Sequence, residues 1–389
     1  MLRLARLGIA LALVATLAAC DFGDGASLYD PDAPRNPAPV ISSVSPDGVV
    51  LAGVDVVVLE GQNFSPTAAE NTVVFDDALG ASAAGTVLAA TATRLEVRVP
   101  NLPNAALRVR VAVRGAQAYS NAVPLPLTPA FVSFGEIGRT EAVYGIAAGA
   151  DGTLYASLEN EGRAVGVTRF SPSGERSEYF ASTFPWAGLA RVGDELAGVR
   201  RIRAVFRLPE GGSQQVIAAL QPSTLSLVAI AAGPDGSLYV GGNAPTLYGV
   251  APDGSTTEMP FPTAIRALTV ADGTLYAVGT SASGDNRVYA LTVAADGSLG
   301  APTPVATLPV AGNAIAVAAD GTLYVGLDRV IDPVVQISPT GALAPLYPGV
   351  LTGPATGLAY GAGSQLYMVR GVTGTPDILR IETRREGAR

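Results

Sequence analysis

One five-residue word recurs along this chain and limits its architecture more than any other feature. Asp-Gly-Thr-Leu-Tyr stands at 151–155, 272–276 and 320–324, and residues 235–239 differ from it only by Ser237. Asp accepts backbone hydrogen bonds at a tight turn, and Gly supplies the positive φ that such a hairpin needs. Thr or Ser then opens a strand on which Leu and Tyr point to opposite faces. Two degenerate copies, RVGDELAGV and GAGSQLYMV, extend the series. Its anchors are then Leu154, Leu196, Leu238, Leu275, Leu323 and Leu366, spaced by 42, 42, 37, 48 and 43 residues. A period of about 40–45 residues with four strands per unit is that of a β-propeller blade. The third unit shows the grammar: LVAIAAG, SLYVGG, TLYGVA and STTEMPF are strands, with PDG turns after the first and third. The repeated word is structural punctuation. A single Asp per turn supplies too few oxygens for calcium.

Six units imply a six-bladed ring whose last blade is incomplete. After DILRIETR comes only the short, mostly charged stretch REGAR, so a fourth strand is missing there. The segment PAFVSFGEIG, Pro129 to Gly138, precedes the first blade without another partner. It is expected to close the ring as the outer strand of blade six (130–138), covering an edge that would otherwise promote aggregation. The propeller is thus placed at 129–384. The phrase GNAIAVAADGTLYVG and its relatives resemble NHL-repeat and gluconolactonase-like propellers.

Ahead of the propeller, residues 39–127 form one small domain of alternating or apolar runs at Val54–Leu59, Thr72–Phe75, Leu95–Val99 and Leu107–Val113. Its marks are Ile41, Ser45-Pro46, the turn Gly61-Gln62-Asn63-Phe64, Val74-Phe75, Val99-Pro100 and a closing Ser120-Asn121. In that order they resemble the IPT/TIG immunoglobulin-like domain. The resemblance implies a β-sandwich that serves as a spacer or binding module, with Asn63 and Phe64 in turn and core roles. The fold class is therefore all-β: an immunoglobulin-like β-sandwich followed by a six-bladed β-propeller.

At the amino end, Met1 to Arg6 carries two Arg residues, Leu7 to Ala19 is apolar, and Leu17-Ala18-Ala19-Cys20 follows. This is a three-part secretory signal, too short for an ordinary spanning helix. Its ending resembles the bacterial lipobox, which implies cleavage after residue 19 and lipidation of Cys20. Cys20 is the only cysteine, so no intramolecular disulfide forms. Acyl chains on one residue anchor a protein stably, at about 0.8 kcal/mol per buried CH₂. Residues 20–38 are rich in Gly, Asp, Pro and Asn, as a flexible tether is. The protein is expected at the bacterial cell envelope, lipid-anchored, and periplasmic or surface-exposed.

Composition removes much chemistry. The chain has no His and no Lys, so all 25 basic residues are Arg. That rules out a Ser-His-Asp triad, His-ligated zinc and a Schiff-base lysine. A net charge of −8 without a basic stripe argues against nucleic acid.

In a propeller the innermost strands line a channel, and ligands meet its mouth at the end away from the Asp-Gly turns. Alignment of the blades puts Tyr144, Ala187, Val228, Arg266, Asn313 and Thr356 at equivalent places there. Trp186, the only Trp, stands beside Ala187, either as a stacking surface for a sugar or as a blade contact. The resemblance to gluconolactonases implies a divalent metal held by Glu, Asn and Asp. Asn313 fits the Asn place, but Tyr144 and Thr356 occupy the acidic ones, with Glu141 three residues from Tyr144. Such a set would not hold a hard cation. Further polar candidates are Arg139, Arg200, Asn243, Asp285, Asn286, Asp328 and Arg370. Alternation in VRRIRAVFR puts Arg201, Arg203 and Arg207 on or near one strand face, either solvated or facing an anionic glycan or carboxylated ligand. The expectation is a binding or scaffolding protein without cofactor or metal, recognising a glycan or an envelope protein. The alternatives are a lactonase-like hydrolase of a sugar-derived substrate and a structural part of an envelope complex.

Overall fold

The computed structural model describes residues 36–371 and 377–388. Cys20, its preceding signal and nearly all of the tether lie outside the described residues. Contacts divide the chain into two compact units. One holds Val57–Val97 and Arg108–Pro124 with residues up to Asp47; the other holds Gly48–Val56, Arg98–Leu107 and Leu125–Arg389.

The amino-terminal sheet runs in the order Val40–Ser45, Val56–Gln62, Arg94–Arg98, Ser82–Ala90, Asn71–Asp76, Arg108–Val113, Val123–Pro124. Period-two alternation sends Val57, Leu59, Val73, Phe75, Leu95, Val97, Val109 and Val111 inward, all fully buried. Phe64 is buried, and Asn63 holds a positive φ of 63° while its amide donates to the Ala38 carbonyl at 2.9 Å. Asn121 works as a false backbone. Its amide oxygen accepts from Ile41 N (2.9 Å), and its amide nitrogen donates to Ile41 O (3.0 Å). The strand Ser82–Ala90 has no counterpart among the apolar runs of the sequence. Apart from Val87 and Leu88 it is built of Ser, Ala, Gly and Thr, and none of its residues is fully buried, so its hydrophobic signal is weak.

The carboxy-terminal unit contains six four-stranded sheets. Their innermost strands are Glu141–Ala148, Gly188–Val192, Leu227–Ala232, Ala264–Ala271, Gly312–Val317 and Ala355–Tyr360. In blades one to five the chain runs from inner to outer strand in sequence order. Blade six takes its outer strand from Phe131–Phe134, which pairs antiparallel with Asp377–Glu382 in the register Phe131↔Ile381 to Phe134↔Ile378. Blade six therefore joins segments from both ends of the propeller sequence.

Each repeated Leu-Tyr pair touches two neighbours. Leu154 packs with blade-six residues Tyr367, Val369 and Ile378, whereas Tyr155 packs with Leu189 and Leu196 of blade two. Leu238 faces blade two and Tyr239 blade four; Leu323 faces blade four and Tyr324 blade six. Six apolar clusters fill the six interfaces between blades. The phenols add directional bonds: Tyr239 donates to Gly297 O at 2.8 Å, and Tyr367 crosses to Gly152 O at 3.1 Å.

The same word makes two different turns. In blade one, Ala148 pairs with Leu154 across five loop residues, and Asp151 accepts from Thr153 N and Thr153 Oγ1 at 3.1 and 2.9 Å. In blade four, Ala271 pairs with Thr274 across two residues, with φ of 47° at Asp272 and 70° at Gly273. That is the primed hairpin geometry, whose twist matches the strands.

Candidate functional site

At the end of the channel away from the Asp-Gly turns lies a cavity of about 860 Å³. Its wall takes in the six aligned positions, Tyr144, Ala187, Val228, Arg266, Asn313 and Thr356. The cause is in the ladder. The register skips at Tyr144-Gly145, Val228, Arg266, Asn313 and Thr356, so five inner strands carry an irregularity at this position. A bulge leaves one residue unpaired and re-aims its side chain. In blade two the ladder begins at Gly188, one residue past Ala187. Blades one and two approach so closely here that Gly145 N donates to Trp186 O at 2.9 Å. A Cβ on Gly145 would sit 2.9 Å from Gly188 Cα.

Trp186 is not at the mouth surface. Its side chain is fully buried, edge-on to Phe180 and Phe206 at 6.2 and 5.3 Å. It serves as a blade contact, and stacking on a sugar is ruled out by its burial. The Arg-rich run does not form one strand face either. Residues 201–203 are a bend, and the strand begins at Ala204. Arg201 lines the cavity, Arg203 donates to Leu220 O at 3.3 Å, and Arg207 lies 3.5 Å from Glu195. Arg139, Glu141, Asn243 and Arg370 also line the cavity, whereas Asp285, Asn286 and Asp328 do not.

The mouth is biased toward positive charge. Glu141 is spent on Arg176, with bonds of 2.6 and 3.0 Å, and on Gly138 N at 2.7 Å. Burial opposes its ionisation, but these bonds and the Arg176 charge outweigh it and hold the carboxyl below its ordinary range. Arg370 is matched by Asp377, its Nε 2.7 Å from Oδ1. Arg139, Arg201 and Arg266 have no carboxylate within salt-bridge distance among the described residues. Arg266 is oriented instead by a neutral partner, donating to Asn313 Oδ1 at 2.7 Å. Tyr144 donates to Glu159 Oε2 at 3.2 Å, and burial followed by the Glu159 charge raises its pKa.

This donor set does not fit the divalent metal of gluconolactonase-like propellers. The Asn313 oxygen already faces a guanidinium, which would repel a cation. The carboxylate in the cavity wall, Glu141, is engaged by Arg176 and a backbone N–H.

Sequence reasoning missed a side pocket of about 300 Å³ that shares Tyr144, Ala187 and Arg201 with the mouth. Phe184, Pro185, Arg200 and Ile202 form the rest of its wall. Its apolar residues come from two separate loops, so no periodic pattern announces it.

The fold and the mouth define the class: an all-β protein carrying a six-bladed propeller with a cationic channel mouth. Residues 39–126 match the family model described as the IPT/TIG domain, and no curated protein sequence matches the chain. Among solved structures, an auxiliary nutrient binding protein from Bacteroides thetaiotaomicron is 12% identical with a TM-score of 0.52, covering 91% of this chain and 98% of that one. A protein provisionally described as a gluconolactonase is 18% identical with a TM-score of 0.52, covering 67% of this chain and 93% of that one. At such identities the likeness is one of fold.

Proposed function

We propose that the propeller is a recognition platform of a lipid-anchored protein at the bacterial cell envelope. It binds a glycan or protein ligand at the channel mouth and performs no catalysis there. Lipid on Cys20 attaches the chain to the membrane. The observation that carries the reading is the mouth itself: six blades each direct one side chain into a single cavity of about 860 Å³. Ligand sites are commonly concave and bear a few placed polar groups.

A lactonase-like hydrolase is favoured less by the same residues. A general base is most effective with a pKa near neutrality. Glu141 is lowered and Tyr144 raised, so each moves away from that range. The auxiliary nutrient binding protein shares the fold and lends the binding reading support by analogy alone.

The test is a glycan and peptide array probed with the wild-type protein and with Arg266→Ala, alongside calorimetric titration of Ca²⁺ and Zn²⁺. A metal-independent ligand whose capture falls roughly tenfold in Arg266→Ala, as expected for losing a charge-assisted contact, supports the platform. Tight stoichiometric metal binding would return the hydrolase. Silence in both would favour a purely structural role.

A further inference from the structure

The side pocket beside the mouth contains a charge for which the described residues provide no counterion. Arg200 projects its guanidinium among three rings, 4.2 Å from the centroid of Phe184, 4.8 Å from Phe206 and 5.7 Å from Trp186. Its Nε and Nη1 are sealed from solvent without a hydrogen-bond partner among the described residues. Burying a cation is costly unless it is paired. Ring quadrupoles offset only part of that cost. Burial accordingly lowers the Arg200 pKa.

Apart from Arg201 and Tyr144, the rest of the pocket wall is apolar. Phe184 is 51% exposed and Ile202 40% exposed, so two large hydrophobic side chains border the opening together with Pro185. Arg201 belongs to this pocket and to the mouth, and beyond it stand Arg139 and Arg266, the other two mouth guanidiniums without a carboxylate. An apolar recess around an unmatched cation, opening onto further cations, complements a molecule with an apolar body and oxyanion groups. A neutral sugar would leave the charge unmet, and a small hydrophilic anion would leave the recess unfilled.

Resting on the platform reading above, we infer that the part of the propeller's ligand that enters the side pocket is an amphiphilic organic anion. Its ring body occupies the Phe184–Ile202 recess, and a carboxylate or similar oxyanion lies against Arg200 and Arg201. The two sealed nitrogens need not touch the ligand. The charge of the guanidinium acts across a pocket of low polarity, where Coulomb attraction is stronger than in water. A ligand longer than the recess extends into the main cavity toward Arg266.

The test uses 2-naphthoate and its neutral counterpart 2-naphthalenemethanol as probes, titrated into the full-length protein by calorimetry. The expected result is one-to-one binding of the naphthoate, roughly tenfold or more tighter than the alcohol. Acetate should bind at least as weakly as the alcohol. Arg200→Met should remove the preference for the anion while keeping most of the apolar volume. Phe184→Ala, at the exposed rim, should weaken both aromatic probes and serves as the decisive variant if Arg200→Met does not fold. Equal affinity for acid and alcohol overturns the inference, as does naphthoate binding unchanged by the folded variants. An array ligand lost in Arg266→Ala together with indiscriminate naphthoate binding would reject this ligand class and leave the platform intact. Naphthoate binding that depends on Arg200, with no array ligand depending on Arg266, would support the side pocket and reject a glycan or protein as the mouth's ligand.

Discussion

Phe134 offers the sharpest test of how the ring is closed. It lies on the outer strand of blade six, is 4% exposed, and meets Tyr367 at 4.8 Å and Phe170 at 6.1 Å between ring centroids. It thus joins the added strand both to its own blade and to blade one. Truncating a buried Phe to Ala generally costs about 3–5 kcal/mol. An outer strand can relax more than a central one, so we expect about 3 kcal/mol for Phe134→Ala. For a domain of this size each kcal/mol lowers Tm by roughly 2–4 °C, giving a fall of about 6–12 °C. Val132 on the same strand is 37% exposed, and Val132→Ala should change stability by no more than about 0.5 kcal/mol. The assay is thermal unfolding followed by tryptophan fluorescence. Trp186 is the only Trp and lies in the propeller core, so the signal reports the propeller alone. If Phe134→Ala melts within about 2 °C of wild type, the strand is not a clamp. If Val132→Ala falls equally far, the loss belongs to the ladder and not to the aromatic contact.

Two further outcomes follow from the charges and the anchor. Glu141 has a folded pKa below its unfolded value, so its stabilising pairing is fully present above the ordinary carboxylate range and is lost as pH falls through the lowered folded value. The Tm difference between wild type and Glu141→Gln should therefore be constant near pH 6 and shrink progressively below about pH 4.3; a difference independent of pH from 3 to 7 would contradict the pairing. Cys20→Ser should move the protein from the membrane and detergent phases to the aqueous one, and unchanged partitioning would sink the lipid anchor.

The repeat was legible because turn chemistry is local. Asp and Gly at a hairpin announce themselves wherever they occur, and Leu and Tyr two faces apart fix the packing between blades. The mouth register was legible for a related reason: in each inner strand a small residue and an aliphatic one, such as Gly145-Ile146 or Ala314-Ile315, follow the mouth position, so aligning these pairs aligned the mouth. What stayed hidden depends on partners distant in sequence. Arg201, Arg203 and Arg207 read as an alternating strand, yet residues 201–203 bend before the strand begins, and the three side chains meet different surroundings. Trp186 stands next to a mouth residue in sequence but faces the opposite way, into the contact with Phe206. Glu141 is removed from the mouth's chemistry by Arg176, 35 residues away. Nor does any motif distinguish the five-residue loop of blade one from the two-residue loop of blade four, since both are spelled alike.

The irregularities at the mouth have an evolutionary consequence. A side chain on a residue skipped by the ladder contributes little to strand pairing, and here it lines the cavity. Exchanging Tyr144, Arg266, Asn313 or Thr356 therefore alters what the cavity offers while leaving the interlocked Leu-Tyr contacts untouched, whereas Val228 also packs on the cluster between blades three and four and is more constrained. Natural variation at these positions, together with Ala187, can be combinatorial: one ring, inherited as a fixed frame, can present a different palette of six side chains in each descendant.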